Sequence, residues 1–154
     1  MKQEKIIEKC PCCGASMEKY SQKLTSGLVK TLAKAYKYVI DGNINDFHIY
    51  DDLIGEYKLS TTEQMNWTKL RFHGLVAKIK ENGEIKRGHW CVTLRGKQFL
   101  LGEIEIPNFV ITFRNHIEDR STTLIGVSEV MRKYPNWQTD FRIVKIEPKQ
   151  EVLL

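Results

Sequence analysis

Along the first third of the chain, Leu24, Leu28, Thr31, Leu32, Ala35 and Val39 recur every three or four positions. Lys23, Lys30, Lys34 and Lys37 fall elsewhere around the turn, so the spacing predicts an amphipathic helix packed on a core. Asp41-Gly42-Asn43 is expected to end it. Phe47 to Ile49 reads as a short strand, and Asp51 to Lys58 as a short helix with Leu53, Ile54 and Tyr57 as its apolar members. Ser60 opens a third helix, because Glu63 stands at the capping-box distance from it. That helix runs to His73, where Gly74 supplies a left-handed stop. The alternation in LVAKIK (75–80) predicts a strand, Asn82-Gly83 a tight hairpin, and HWCVTL (89–94) the returning strand. RGKQFLLGE (95–103) is a short helical or turning segment. Beyond it, FVITF reads as a strand with Phe109, Ile111 and Phe113 on one face, STTLIGVSEVMRKY (121–134) as a helix stopped by Pro135, and FRIVKI (141–146) as a last strand.

From residue 22 to 102 the order is helix, short strand, helix, helix, strand, hairpin, strand, which is the order of a winged helix. The segment LRFHGLVAKI followed by GHWCVTLRGKQFL resembles the LxxxGLI and G-x-W-x-x-T-x-x-G-x-x-F-L pattern of winged helix-turn-helix proteins. With CPxCG before the first helix and IPNFVITF after the last, the whole chain also resembles small proteins encoded by tailed phages and mobile elements. The expected fold is therefore α+β: a winged helix-turn-helix over 22–102, a zinc-knuckle-like arm over 1–21, and a β-α-β appendage over 103–154 that packs on it. The resemblance implies fold and origin more than activity.

Composition adds little to that picture and removes some alternatives. A chain of 154 residues, 42% hydrophobic and 28% charged, suits one domain, or one with a small appendage. No apolar run reaches the length of a membrane span, and the Lys- and Glu-rich start is not a signal peptide. Three of the four cysteines crowd into positions 10, 12 and 13, unlike the dispersed frame of a secreted disulfide protein. A cytoplasmic location follows as the expectation. The net charge of +5 and pI near 9.0 fit an anionic partner such as nucleic acid, by a modest excess.

CPCCG, Cys10 to Gly14, has the spacing of half a structural zinc site, with Pro and Gly suited to the tight turn. Zinc takes about four ligands, so others must converge on it. His89 and Cys91 alternate with Trp90 and Val92, and if the latter face the core the former share the opposite face, roughly 6–7 Å apart. These residues predict one zinc per chain held by Cys10, Cys13, His89 and Cys91. The alternatives are a set completed by a second chain, or a buried Cys91 and a turn that holds no metal.

Projected around the third helix, with Trp67 and Leu70 in the core, the opposite face carries Thr61, Thr62, Met65, Thr68, Lys69 and Phe72, with Gln64 and Arg71 on its flanks. Thr61, Gln64, Thr68, Lys69 and Arg71 suit contacts to double-stranded DNA, and Lys78, Lys80, Lys86 and Arg87 on the wing (78–89) suit its phosphates. The leading expectation is a DNA-binding regulator of a phage or mobile element. Met65 and Phe72 instead support a winged-helix scaffold that binds a host protein, with oligomeric state open. No nucleophile–base–acid order, paired carboxylates or phosphate-cradling Gly loop points to an enzyme.

Overall fold

The computed structural model describes residues 4–42, 44, 46–55 and 59–134. The fold is α+β. Strands β1 (Glu4–Lys9) and β2 (Ser16–Lys23) form an antiparallel hairpin ahead of helix α1 (Ser26–Gly42). Leu24 lies before α1 rather than inside it; Leu28, Leu32, Ala35 and Val39 form the buried stripe that the periodicity predicts. After α1 come β3 (Phe47–His48) and a π-helical turn, Ile49–Ile54. The Gly55 N–H donates to the Tyr50 carbonyl at 3.0 Å, the wider ring of such a turn. The expected helix 51–58 is thus a π turn up to Ile54, and its positions 56–58 lie outside the described residues.

Helix α2 (Thr61–Phe72) has both capping-box bonds: Ser60 Oγ accepts from the Glu63 N–H at 3.1 Å, and Glu63 Oε1 accepts from the Ser60 N–H at 3.0 Å. Its end is a Schellman turn. The Leu75 N–H donates to the Leu70 carbonyl and the Gly74 N–H to Arg71, with Gly74 at φ +74°. β4 (Val76–Glu81) and β5 (Glu84–Val92) pair antiparallel around Asn82 and Gly83, both at positive φ, the geometry a two-residue hairpin needs. β3 pairs with the other edge of β5, giving the sheet order β3-β5-β4. Helix α3 (Leu94–Leu100) follows, capped by Thr93 Oγ1. One core runs beneath these elements, from Leu28, Leu32 and Tyr36 of α1 through Trp67 and Leu70 to Trp90 and Phe99.

The C-terminal part differs from the expected β-α-β unit. β6 (Ile106–Pro107) pairs with β9 (Leu124–Ile125), and β7 (Phe109–Phe113) pairs with β8 (His116–Arg120) across Arg114 and Asn115, both at positive φ. The stretch 121–134, expected to be one helix, is helical only at α4 (Val127–Val130). Its earlier residues are drawn into the β6–β9 pair, whose backbone bonds outweigh a weak helix pattern. The expected strand 141–146 and Pro135 lie outside the described residues.

β2 also pairs with β7, Ser21 opposite Ile111, so a four-stranded sheet β1-β2-β7-β8 joins the N-terminal hairpin to residues 109–120. The boundary expected at 21/22 falls inside β2, and the segment before it is one layer with residues 109–120. Gln22 Nε2 donates to Thr112 Oγ1 at 3.2 Å within that pairing. Among the described residues, no helix is long and apolar enough to cross a membrane.

Candidate functional site

Helix α2 carries a single carboxylate, Glu63, and it is already engaged. Lys34 Nζ of α1 lies 2.7 Å from Glu63 Oε1, the atom that also accepts the cap bond. Burial raises the Glu63 carboxyl, but the Lys34 ammonium and the Ser60 donors outweigh it and hold it below the usual carboxylate range. The outer surface of the helix is left without negative charge. Thr61, Gln64, Met65 and Thr68 line it, and Lys69 is half-buried at its margin. Gln64 donates from Nε2 to the Leu59 carbonyl, which steadies its side chain.

The last turn of α2 does not share this surface. Phe72 is only 6% exposed, whereas Met65 is 71% exposed, so the expected Met65/Phe72 apolar face does not exist as one surface. Phe72 and Arg71 line a cleft whose far wall is formed by Val110 of β7 and Ile117 of β8. The β7–β8 hairpin supplies that wall, and β2 of the N-terminal hairpin pairs with the other edge of β7.

On the β4–β5 hairpin, Lys78, Lys80, Lys86 and Arg87 all reach solvent. Lys86 stands 3.9 Å from the Glu81 carboxylate, a contact of two exposed chains that contributes little. Among the described residues, Lys78, Lys80 and Arg87 have no carboxylate at ion-pair distance. Lys78 lays its stem towards Trp90, its Nζ 5.7 Å from the ring.

CPCCG forms the turn of the β1–β2 hairpin. The Cys10 N–H donates to the Ala15 carbonyl at 2.7 Å, the Gly14 N–H to the Cys10 carbonyl at 2.8 Å, and Gly14 adopts φ +73°. The backbone N–H groups of Cys12 and Cys13 aim at Cys10 Sγ and hold that thiol below its usual range, aided by the Cys13 side chain. Thiolate stabilisation of this kind is what a soft metal ligand requires.

His89 and Cys91 do point away from the buried Trp90 and Val92, but they sit on β5, in a different sheet from the turn. Burial pushes the Cys91 thiol up, with Lys97 offsetting part of the effect, which favours the protonated form. The His89 ring meets His48 edge-on, centroids 4.9 Å apart. Among the described residues, no three His, Cys, Asp or Glu side chains gather to hold an ion, so the structure brings Cys10 to Cys13 without adding His89 and Cys91. The His48–His89 pair is a contact that sequence reasoning misses. Both strands are legible in the residue pattern, but the register that sets His48 opposite His89 is not. No family model, curated protein or solved structure matches the chain.

Proposed function

We propose that the chain binds double-stranded DNA as a winged helix-turn-helix protein, with the first two turns of α2 in the major groove and the β4–β5 wing on the phosphates. The observation that carries this reading is the sheet order β3-β5-β4 set behind a capped helix whose outer face holds no free carboxylate. Groove-reading helices contact base edges from their N-terminal residues. Thr61, Gln64 and Thr68 are polar residues of that surface, and Met65 suits a thymine methyl. Lys69 lies within reach of the groove edge, while Arg71 is turned towards the β7–β8 cleft. The wing supplies positive charge that no nearby carboxylate fully neutralises. A regulator of a phage or mobile element, working in the host cytoplasm, is the role that this reading and the sequence resemblance suggest.

The reading extends to a structural zinc ion at the hairpin turn. Cys10 and Cys13 supply half of a tetrahedral set, and the same pair from a second copy would complete it; the ion would fix the hairpin tip. The alternative, a host protein docked on a joint Met65/Phe72 face, loses Phe72 to burial.

Titration of a labelled random-sequence duplex at several salt concentrations tests the proposal. Binding whose logarithm falls linearly with log salt, with a slope of about −0.9 per phosphate contacted, is expected. Absence of binding at ~0.15 M salt, where surface charge is screened beyond about 8 Å, would overturn it.

A further inference from the structure

A cleft of about 470 Å³ opens between the C-terminal turn of α2, the start of α3 and the β7–β8 hairpin. Its charged lining is of one sign. Arg71, Arg95 and Arg120 contribute guanidinium groups from α2, α3 and β8, and among the described residues no carboxylate lines the cleft. None of the three forms an ion pair with any described residue. Burial disfavours the charge on Arg95, and Arg120 lies close enough that its own charge adds to the effect.

Positive groups do not converge in a partly buried cleft without cost, so the cluster calls for a counter-charge. A second feature points the same way. His73 lines the cleft at 4% exposure, and neither of its ring nitrogens has a hydrogen-bond partner among the described residues. Arg71 Nε is likewise buried without an acceptor among them. Unpaired buried polar groups are uncommon in folded proteins, and around a concave space a bound ion or ligand is one explanation of them.

The site is also shaped to receive it. Arg95 Nε donates to the His73 carbonyl at 3.2 Å, which fixes the guanidinium plane while its terminal nitrogens have no partner among the described residues. Gly74 makes room for that stem, since a Cβ there would stand 3.2 Å from Arg95 Cδ. The remaining wall is apolar, formed by Phe72, Val110 and Ile117. A guanidinium fork matches the paired oxygens of a phosphate or carboxylate. We infer that this cleft binds a small organic oxyanion, a phosphate or carboxylate group carried on a compact apolar body, with Arg71, Arg95 and Arg120 on the oxygens and the Phe72–Val110–Ile117 wall against the body.

The test uses the full chain in the absence of DNA, so its failure leaves the DNA-binding reading untouched. Inorganic phosphate, phenyl phosphate, benzoate and neutral phenol are titrated separately at constant ionic strength, with calorimetry and the melting temperature as readouts. Phenyl phosphate or benzoate is expected to bind and raise the melting temperature, more tightly than inorganic phosphate, while phenol has no effect. Arg95→Ala should weaken binding by about tenfold or more, the size of a lost charge-assisted hydrogen bond. Arg120→Ala should do the same; its side chain is exposed at the end of β8, so this variant keeps the fold if Arg95→Ala does not. The Lys86→Ala/Arg87→Ala wing variant should bind the anions like the parent. Phenol as effective as phenyl phosphate, or Arg120→Ala binding anions unchanged, would overturn the inference. In a separate titration, a DNA duplex that displaces phenyl phosphate from the parent and itself binds Arg120→Ala more weakly would overturn the small-ligand assignment and make the cleft part of the nucleic-acid surface.

Discussion

Trp67 of α2 and Trp90 of β5 meet edge to face, ring centroids 5.7 Å apart with 87° between their planes. Phe47 of β3 also closes on Trp67, at 5.7 Å and 72°. The proposed reading helix is thereby seated on the sheet behind it through one aromatic cluster. Its orientation relative to the β4–β5 hairpin is a property of the core, not of the linker between them. Trp90→Ala should cost about 3–5 kcal/mol in urea unfolding, as large-to-small core changes do. A double-mutant cycle between Trp67→Leu and Trp90→Leu should return a coupling of about 0.5–1.5 kcal/mol. Additive effects would mean that the two rings stabilise the fold independently.

Gly88 lies at φ +79°, and a Cβ there would stand 2.6 Å from His48 Nε2. Gly88→Ala therefore combines backbone strain with a clash against a side chain that is itself held, because His48 Nδ1 accepts from the Asp51 N–H at 3.2 Å. We expect a loss of about 1–3 kcal/mol in stability. Adding His48→Ala should recover the steric part and leave about 1 kcal/mol of backbone cost. Full recovery in the double variant would show that the positive φ carries no penalty here.

Burial, reinforced by the Arg95 charge, lowers the His73 pKa from an ordinary 6.5 to about 4. The unfolded chain takes up this proton below the ordinary value while the folded chain still refuses it, so the unfolded state binds more protons in that window. His73 thus leaves stability intact above pH 6.5 and erodes it as pH falls towards 4, by about 3 kcal/mol in all. Unfolding free energies of parent and His73→Asn, measured across that range, should diverge in slope by up to one proton. Parallel curves would exclude His73 as the source.

If the wing contacts phosphates, Lys86→Ala/Arg87→Ala should weaken binding to every duplex alike and lower the slope of log K against log salt by up to about 2. Thr68→Ala should instead cost more on a selected site than on random DNA, because a groove-facing position reads bases. Wing and helix variants that bind all duplexes like the parent would remove the proposed interface.

Zinc added to the reduced chain should bind at one ion per pair of chains and convert monomer to dimer in sedimentation, and a chelator should reverse both. Cys13→Ser should abolish the effect. A zinc content of one per chain in a monomer, unchanged by Cys10→Ser, would place the ion elsewhere.

Features written in near neighbours are legible in the residue order alone. The α1 stripe from Leu28 to Val39, the Ser60–Glu63 capping box, the Gly74 stop and the Asn82-Gly83 hairpin each depend on residues a turn apart or less, and all are present. So is the alternation that buries Trp90 and Val92 and turns His89 and Cys91 away. Pairings between distant segments are not legible in that way. Nothing local in SMEKYSQK announces that Ser21 will lie opposite Ile111, because the strand is polar and its alternation is partial. Arg114-Asn115 is a poorer turn signal than Asn-Gly, so β8 leaves no clear mark and the segment after it reads as helix. These long-range pairings decide the site. With β7 paired to β2, the β7–β8 hairpin brings Val110, Ile117 and Arg120 to the cleft that Phe72, Arg71 and Arg95 line. A periodic pattern tells which face of a helix is apolar, but not which distant strand will share a cleft with its last turn. That outcome depends on backbone hydrogen bonds between segments, which no local spacing encodes.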